Sequence, residues 1–255
     1  LRRLCVAAAA VVLASIPAGL VQATPSTNFW APSTPAIQPY GVLHVTYDTY
    51  FQSAGLYPVD SGLTIGALPG KKVQAELGFD LFYPTSSSDG PVAFPVQLNG
   101  KIGSPEGALF QGSPAWSLGV YALGFEKDVT DYNVLYGMIG KTFPKIGMLS
   151  VGGYYGGNED LFRSSDGKES RSGVLAGWAS PSVDVPAIDH LAFTWDLQTG
   201  DNVFGATGGG VAFYLTPTVD VLTGPVFFFD KDLQPGHTDW MWSIQLDADI
   251  SFLSH

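Results

Sequence analysis

The chain has 255 residues, 45% hydrophobic but only 14% charged, with a formal net charge of -11. An acidic balance of this kind excludes nucleic-acid binding, which needs a basic footprint for the phosphates. Beyond the N-terminus no stretch of ~18 apolar residues occurs, which excludes a membrane-spanning helix in the mature chain, while 31 Gly and 13% aromatic residues point to many short strands.

The first residues, LRRLCVAAAAVVLASIPAGLVQA, carry Arg2 and Arg3, an apolar core from Leu4 to Ile16, and a Val21-Gln22-Ala23 end of A-x-A type. This is the pattern of a secretory signal peptide, residues 1–23, cleaved after Ala23; a short membrane anchor is the alternative, with a core too short to span comfortably. Cys5 precedes the apolar core, so a lipoprotein signal does not fit. Cleavage removes the single Cys, and with it any disulfide framework or thiolate metal site. Residues 24–40, TPSTNFWAPSTPAIQPY, hold four prolines among small polar residues and read as an extended segment, long enough to enter a barrel as a plug.

From residue 41 to 252 a period of two recurs, the signature of strands. In GVLHVTYDTYF, Leu43, Val45, Tyr47, Thr49 and Phe51 oppose His44, Thr46, Asp48 and Tyr50. In VQAELGFDLFY, Leu77, Phe79, Leu81 and Tyr83 oppose Glu76, Gly78, Asp80 and Phe82; in FPVQLNGKI, Leu98 and Ile102 oppose Gln97, Asn99 and Lys101. HLAFTWDLQ sets Phe193, Trp195 and Leu197 against Thr194, Asp196 and Gln198. The last, WMWSIQLDADISF, puts Trp240, Trp242, Ile244, Leu246 and Ile250 on one face and Ser243, Gln245, Asp247 and Asp249 on the other. Strands are expected at 41–51, 61–68, 73–83, 93–103, 114–126, 132–142, 147–157, 171–180, 189–199, 205–215, 218–229 and 239–252. The 114–126 strand phases either way, and the Gly-rich strands at 147–157 and 171–180 leave their faces open.

Three connections are tight (69–72, 143–146 and 216–217), and SSSDG at 86–90, 158–170 and 230–238 are long and polar. Parity puts the tight turns on one side and these loops on the other, as in an outer-membrane barrel; the connections at 104–113 and 181–188 are longer than that pattern expects. A soluble β-sandwich also alternates, but its charged face would be its surface, and this chain is short of charge. The expected fold is therefore all-β, a closed antiparallel transmembrane β-barrel of about 12 strands, with apolar side chains toward lipid and polar ones toward the lumen. Phe51, Tyr83, Phe229, Trp240 and Trp242 would form an outer aromatic girdle, with Trp116 and Phe252 near the periplasmic rim.

The segments WAPSTPAIQPYGVLHVTYDTYF, GLTIGALPGKKVQAELGFDLFYP, GFEKDVTDYNVLYG and GPVFFFDKDLQPG resemble a family of porin-like Gram-negative outer-membrane β-barrel proteins, over most of the mature chain. The resemblance implies export to the bacterial outer membrane but no established activity. The final strand also resembles the C-terminal signal read by barrel-assembly machinery; here Phe252 is followed by Leu253, Ser254 and His255.

Any mechanism must lie in the lumen-facing set. By alternation it holds His44, Asp48, Glu76, Asp80, Asp196, Asp220, Asp247 and Asp249, against Lys101 and Lys141. Rings of acids favour cations through a pore; for any single carboxylate, pairing inside a polar interior is the plainer role, and it is the excess of acids that favours cation attraction. His44 with Asp48 or Asp247 could make a general-base pair, but no partnered nucleophile, G-x-S-x-G or H-E-x-x-H occurs, so no catalysis is expected. No metal or cofactor is expected either: acids spaced along a strand are weak evidence for a metal, and no helix follows Gly208-Gly209-Gly210 as a phosphate loop would require. The expected function is a narrow, cation-tolerant passive channel for small solutes, with lipid and the assembly machinery as partners. The alternative is a non-conducting scaffold barrel that docks another protein.

Overall fold

The computed structural model describes residues 27–55, 57–83, 86–87, 90–92 and 94–253. The expected signal peptide, the first residues of the Pro-rich segment, Ser254 and His255 lie outside these. The strands are β1 (Val42–Phe51), β2 (Val59–Gly66), β3 (Gln74–Tyr83), β4 (Ser86–Ser87), β5 (Gly90–Pro91), β6 (Val96–Ser104) and β7 (Ala115–Gly124). They continue with β8 (Val134–Phe143), β9 (Gly147–Gly156), β10 (Ser172–Ala179), β11 (His190–Gln198), β12 (Ala206–Thr216), β13 (Val219–Phe228) and β14 (Trp240–Ser251). All but β4 and β5 form one closed barrel, each strand antiparallel to its neighbours, and β1 pairs with β14 from Val42↔Ser251 to Phe51↔Trp242. Closure matters because hydrocarbon cannot satisfy the N–H and C=O groups of an open edge.

Alternation decides which face each side chain takes. Along β14 the tryptophans, Ile244, Leu246 and Ile250 are exposed outside, while Met241, Ser243, Gln245, Asp247 and Asp249 are buried inside. Leu77, Leu118, Leu135, Ile139, Val151 and Phe213 extend this apolar belt around the exterior. A soluble monomer rarely exposes a contiguous apolar patch beyond a few hundred Å², so the belt is a lipid-facing surface. Phe51, Tyr83, Phe229, Trp240, Trp242 and Phe252 all stand exposed on it. Trp116 also faces out, opposite exposed Ile139.

Three expectations change. SSSDG is not purely loop, because β4 and β5 pair there as a small separate hairpin. The strand over 114–126 takes both phases: Val120 pairs with Gly100 but Leu123 with Leu98, and Ala122 adopts φ 52° between them. The inserted residue is a β-bulge, and it leaves Tyr121 and Ala122 both facing inward. Lys141 is not in the lumen. On β8 the buried residues are Val134, Tyr136 and Met138, so the alternate set containing Lys141 points out. Its ammonium lies at the short-turn rim, 2.7 Å from Glu106 and 3.1 Å from the Gly112 carbonyl. That ammonium, helped by Thr142, holds the Glu106 carboxyl below its usual range.

β8 can be apolar inside because the lumen is not filled with water along that wall. Val134, Tyr136 and Met138 join Ala31, Ala122, Tyr154, Phe162 and Leu175 in one buried cluster; Phe29, Tyr50, Val226 and Phe228 belong to a second. Ala31 and Phe29 come from the Pro-rich segment, which runs through the barrel.

Leu246 lies at the middle of β14 with its side chain outside. Leu246→Arg should cost about 2–4 kcal/mol, as expected for a cation at the bilayer midplane. Leu246→Ile, apolar like the native side chain, should not share this cost. Denaturant-dependent refolding into lipid vesicles measures the difference.

Candidate functional site

Twelve strands enclose more space than their own inward side chains fill, since about eight strands already make a filled interior. Residues 28–38 take up the difference: Phe29, Ala31, Ser33, Thr34, Ile37 and Gln38 are buried, although they belong to no strand. Prolines suit such a chain, since they set an extended backbone and remove donors that would need partners.

The strongest attachment is Asp196 on β11, which is fully buried. Its Oδ2 accepts the backbone N–H groups of Phe29, Trp30 and Ala31, each at 2.9 Å, and the Ser33 hydroxyl at 3.3 Å. Consecutive N–H groups converging on one carboxylate oxygen form an anion-binding nest. Gln245 Nε2 donates to the Phe29 carbonyl at 2.8 Å, and the Trp30 indole N–H to the Phe204 carbonyl at 3.0 Å. Toward the short-turn end Gln38 spans two walls: its N–H donates to Glu76 Oε2 at 2.5 Å, and its side-chain amide to Asp249 Oδ1 at 2.9 Å.

The wall also makes room for the segment. A Cβ on Gly66 would overlap the Pro39 carbonyl oxygen, and one on Gly208 would come within 2.7 Å of the Phe29 ring. Glycines of the wall thus provide the groove in which the chain lies.

The expected lumen acids group on the β1, β2, β3, β13 and β14 side. His44 sits between two of them, Nδ1 2.9 Å from Asp249 and Nε2 3.3 Å from Asp247. Lys101 and Glu76, opposite each other on β6 and β3, form a buried ion pair at 3.3 Å. Asp80 accepts the Asn99 amide at 2.7 Å, and Asp48 accepts the Thr46 hydroxyl at 2.9 Å. Asp220 is buried directly opposite Asp247. Asp196 stands apart from these, on the segment's anchor.

One acid was not legible. Asp60 pairs directly with Asp48 across β1 and β2, because β2 begins at Val59, two residues earlier than the alternation from Ser61 indicates. Pro58 and the small residues Ser61 and Gly62 hide that start; the usable signal was the opposition of Asp60 and Gly62 to Val59, Leu63 and Ile65. Trp30, Tyr121, Tyr136 and Phe204 are interior aromatics missed for another reason, as only the threaded segment and the bulge bring them together.

Between the segment and this acidic wall remains a partly open cavity of about 160 Å³. Asp48, Asp60, Asp80 and Asp247 line it, together with Trp30 and Tyr50.

No family model and no curated protein matches the chain. Among solved structures it is similar to the NanC porin, at 10% identity over 83% of this chain and all of that one, with a TM-score of 0.49. It is similar to an outer membrane channel from Pseudomonas putida F1 at 10% identity, over 92% of this chain and all of the other, with a TM-score of 0.46. It is also similar to outer membrane phospholipase A from Escherichia coli, at 12% identity over 87% of this chain and 96% of that one, with a TM-score of 0.46. Likenesses this distant carry no activity or solute across to the chain.

Asp196→Ala strands three buried N–H donors and should weaken docking of the segment by about 3 kcal/mol, a shift on the order of a hundredfold in the docking equilibrium. Asp196→Asn, which keeps one acceptor oxygen, should have a smaller effect. Hydrogen exchange at the amides of residues 29–38 measures this, with the barrel amides as the internal reference.

Proposed function

We propose that the protein is a narrow passive channel of the bacterial outer membrane, with a path for small, preferably cationic solutes between its own N-terminal segment and the β1–β3 wall. The observation that carries this reading is the cavity left beside the segment, walled by Asp48, Asp60, Asp80 and Asp247. Like-signed rings and strips in a low-dielectric passage concentrate the opposite charge. The segment is the natural restriction of such a path: Gln38 crosses toward Glu76 and Asp249 at the short-turn end, periplasmic in barrels of this kind.

A second reading, a scaffold barrel that conducts nothing and docks another protein, draws support from how completely Asp196 and Gln245 fix the segment in the lumen.

Planar-bilayer recording of the refolded chain separates them. For the channel, small discrete steps are expected, with a cation-selective reversal potential in a KCl gradient. Asp80→Asn with Asp247→Asn should bring that potential close to zero while keeping the steps, and Asp196→Ala should raise conductance. A folded, inserted barrel that stays silent even as Asp196→Ala would end the channel reading and leave the scaffold.

A further inference from the structure

The acidic wall sets two carboxyl groups face to face. Asp48 and Asp60 are register partners on β1 and β2, with their side chains on the same inner face. Directly opposed side chains start about 5 Å apart, and like charges in that position are destabilising. The surroundings offer little relief. His44 is engaged by Asp247 and Asp249, and Lys101 by Glu76. Asp48 receives the Thr46 hydroxyl and, at 3.5 Å, the Tyr50 hydroxyl, but Asp60 Oδ1 is buried with no hydrogen-bond partner. Both residues line the cavity.

We infer that this cavity is a binding site for a small organic cation of the alkylammonium class, seated between the Asp48–Asp60 carboxylates and the ring of Trp30.

The aromatic lining supports an organic body over a bare ion. Trp30, held by its indole N–H to the Phe204 carbonyl, packs edge-to-face on Tyr50 with ring centroids 5.6 Å apart. Both rings line the cavity, and aromatic faces attract cations, most strongly where water is excluded. Among the described residues no three His, Cys, Asp or Glu side chains gather closely enough to hold a metal ion, whereas hard cations require several oxygens at about 2.0–2.6 Å. The volume, about 160 Å³, is close to that of cavities that accept benzene. An ammonium head on a short carbon chain suits this lining: its N–H groups satisfy the orphaned Asp60 oxygen, and its methylenes lie against the rings. Such ions would be the solutes of the path proposed above, which this site needs for access and not for binding.

Saturation-transfer NMR on the refolded full chain in detergent micelles tests the site without a bilayer. Propylammonium is the probe, 1-propanol the neutral comparator and potassium the competitor. Propylammonium should bind at least about tenfold tighter than 1-propanol, a step of about 1.4 kcal/mol, and potassium should not displace it at equal concentration. Asp60→Asn should reduce its affinity about tenfold, and because the change relieves a like-charge pair the barrel should fold at least as well. Equal binding of the alcohol, displacement by equimolar potassium, or unchanged affinity in Asp60→Asn would each overturn the assignment. A barrel that binds propylammonium yet never conducts would end the channel reading and leave this site standing; one that conducts but does not bind it would do the reverse.

Discussion

Everything in this molecule depends on the seam between its first and last barrel strands. Pairing of β1 with β14 along ten residues removes the only free edges of the sheet, and a lipid-facing sheet cannot keep a free edge. Once the seam is closed, each strand has one face in hydrocarbon and one in the lumen. The low charge of the chain follows from this, because half of the wall must be apolar on the side where a soluble protein would be polar.

Closure at twelve strands creates a second demand. The ring is too wide for its inward side chains to fill and too narrow for a broad aqueous pore. The chain meets this demand with its own N-terminal segment, and the interior is divided as a result. On the β7–β10 side the segment packs against tyrosines, Met138 and Phe162. On the β1–β3 side it touches the wall through Trp30, Gln38 and Pro39, and the carboxylates gather around the space left beside it. Asp196 is the hinge between these halves, because its carboxylate is used on backbone N–H groups of the segment and not on the cavity. A lumen acid can therefore be a structural anchor, while Asp60, two residues after a proline at a strand start, belongs with the acids that line the cavity.

Particular residues show how far alternation carries. Along β14 each outward and inward residue follows from the period of two, since that strand runs without a bulge and is apolar on one face only. On β8 the same rule fails at Lys141, which lies outside, because Val134, Tyr136 and Met138 take the inside against other apolar side chains. When both faces of a strand are apolar, hydrophobicity no longer says which is which. On β7 the ambiguity was physical, since the bulge near Ala122 gives the strand one phase before it and the other after. The partners of His44, Lys101 and Asp196 were not legible as pairs, because each depends on a register across strands or on the threaded segment.

The sequence by itself determined that this is a barrel of about twelve strands, its belt of outward apolar and aromatic residues and the acidic bias of its interior. Those properties are written in local alternation and composition, which need no knowledge of distant contacts. Only the tertiary structure decided which acids are satisfied and which remain exposed to a solute. That outcome depends on cross-strand register, which sets Asp48 against Asp60, and on the path of a proline-rich segment whose backbone N–H groups find their acceptor some 165 residues away.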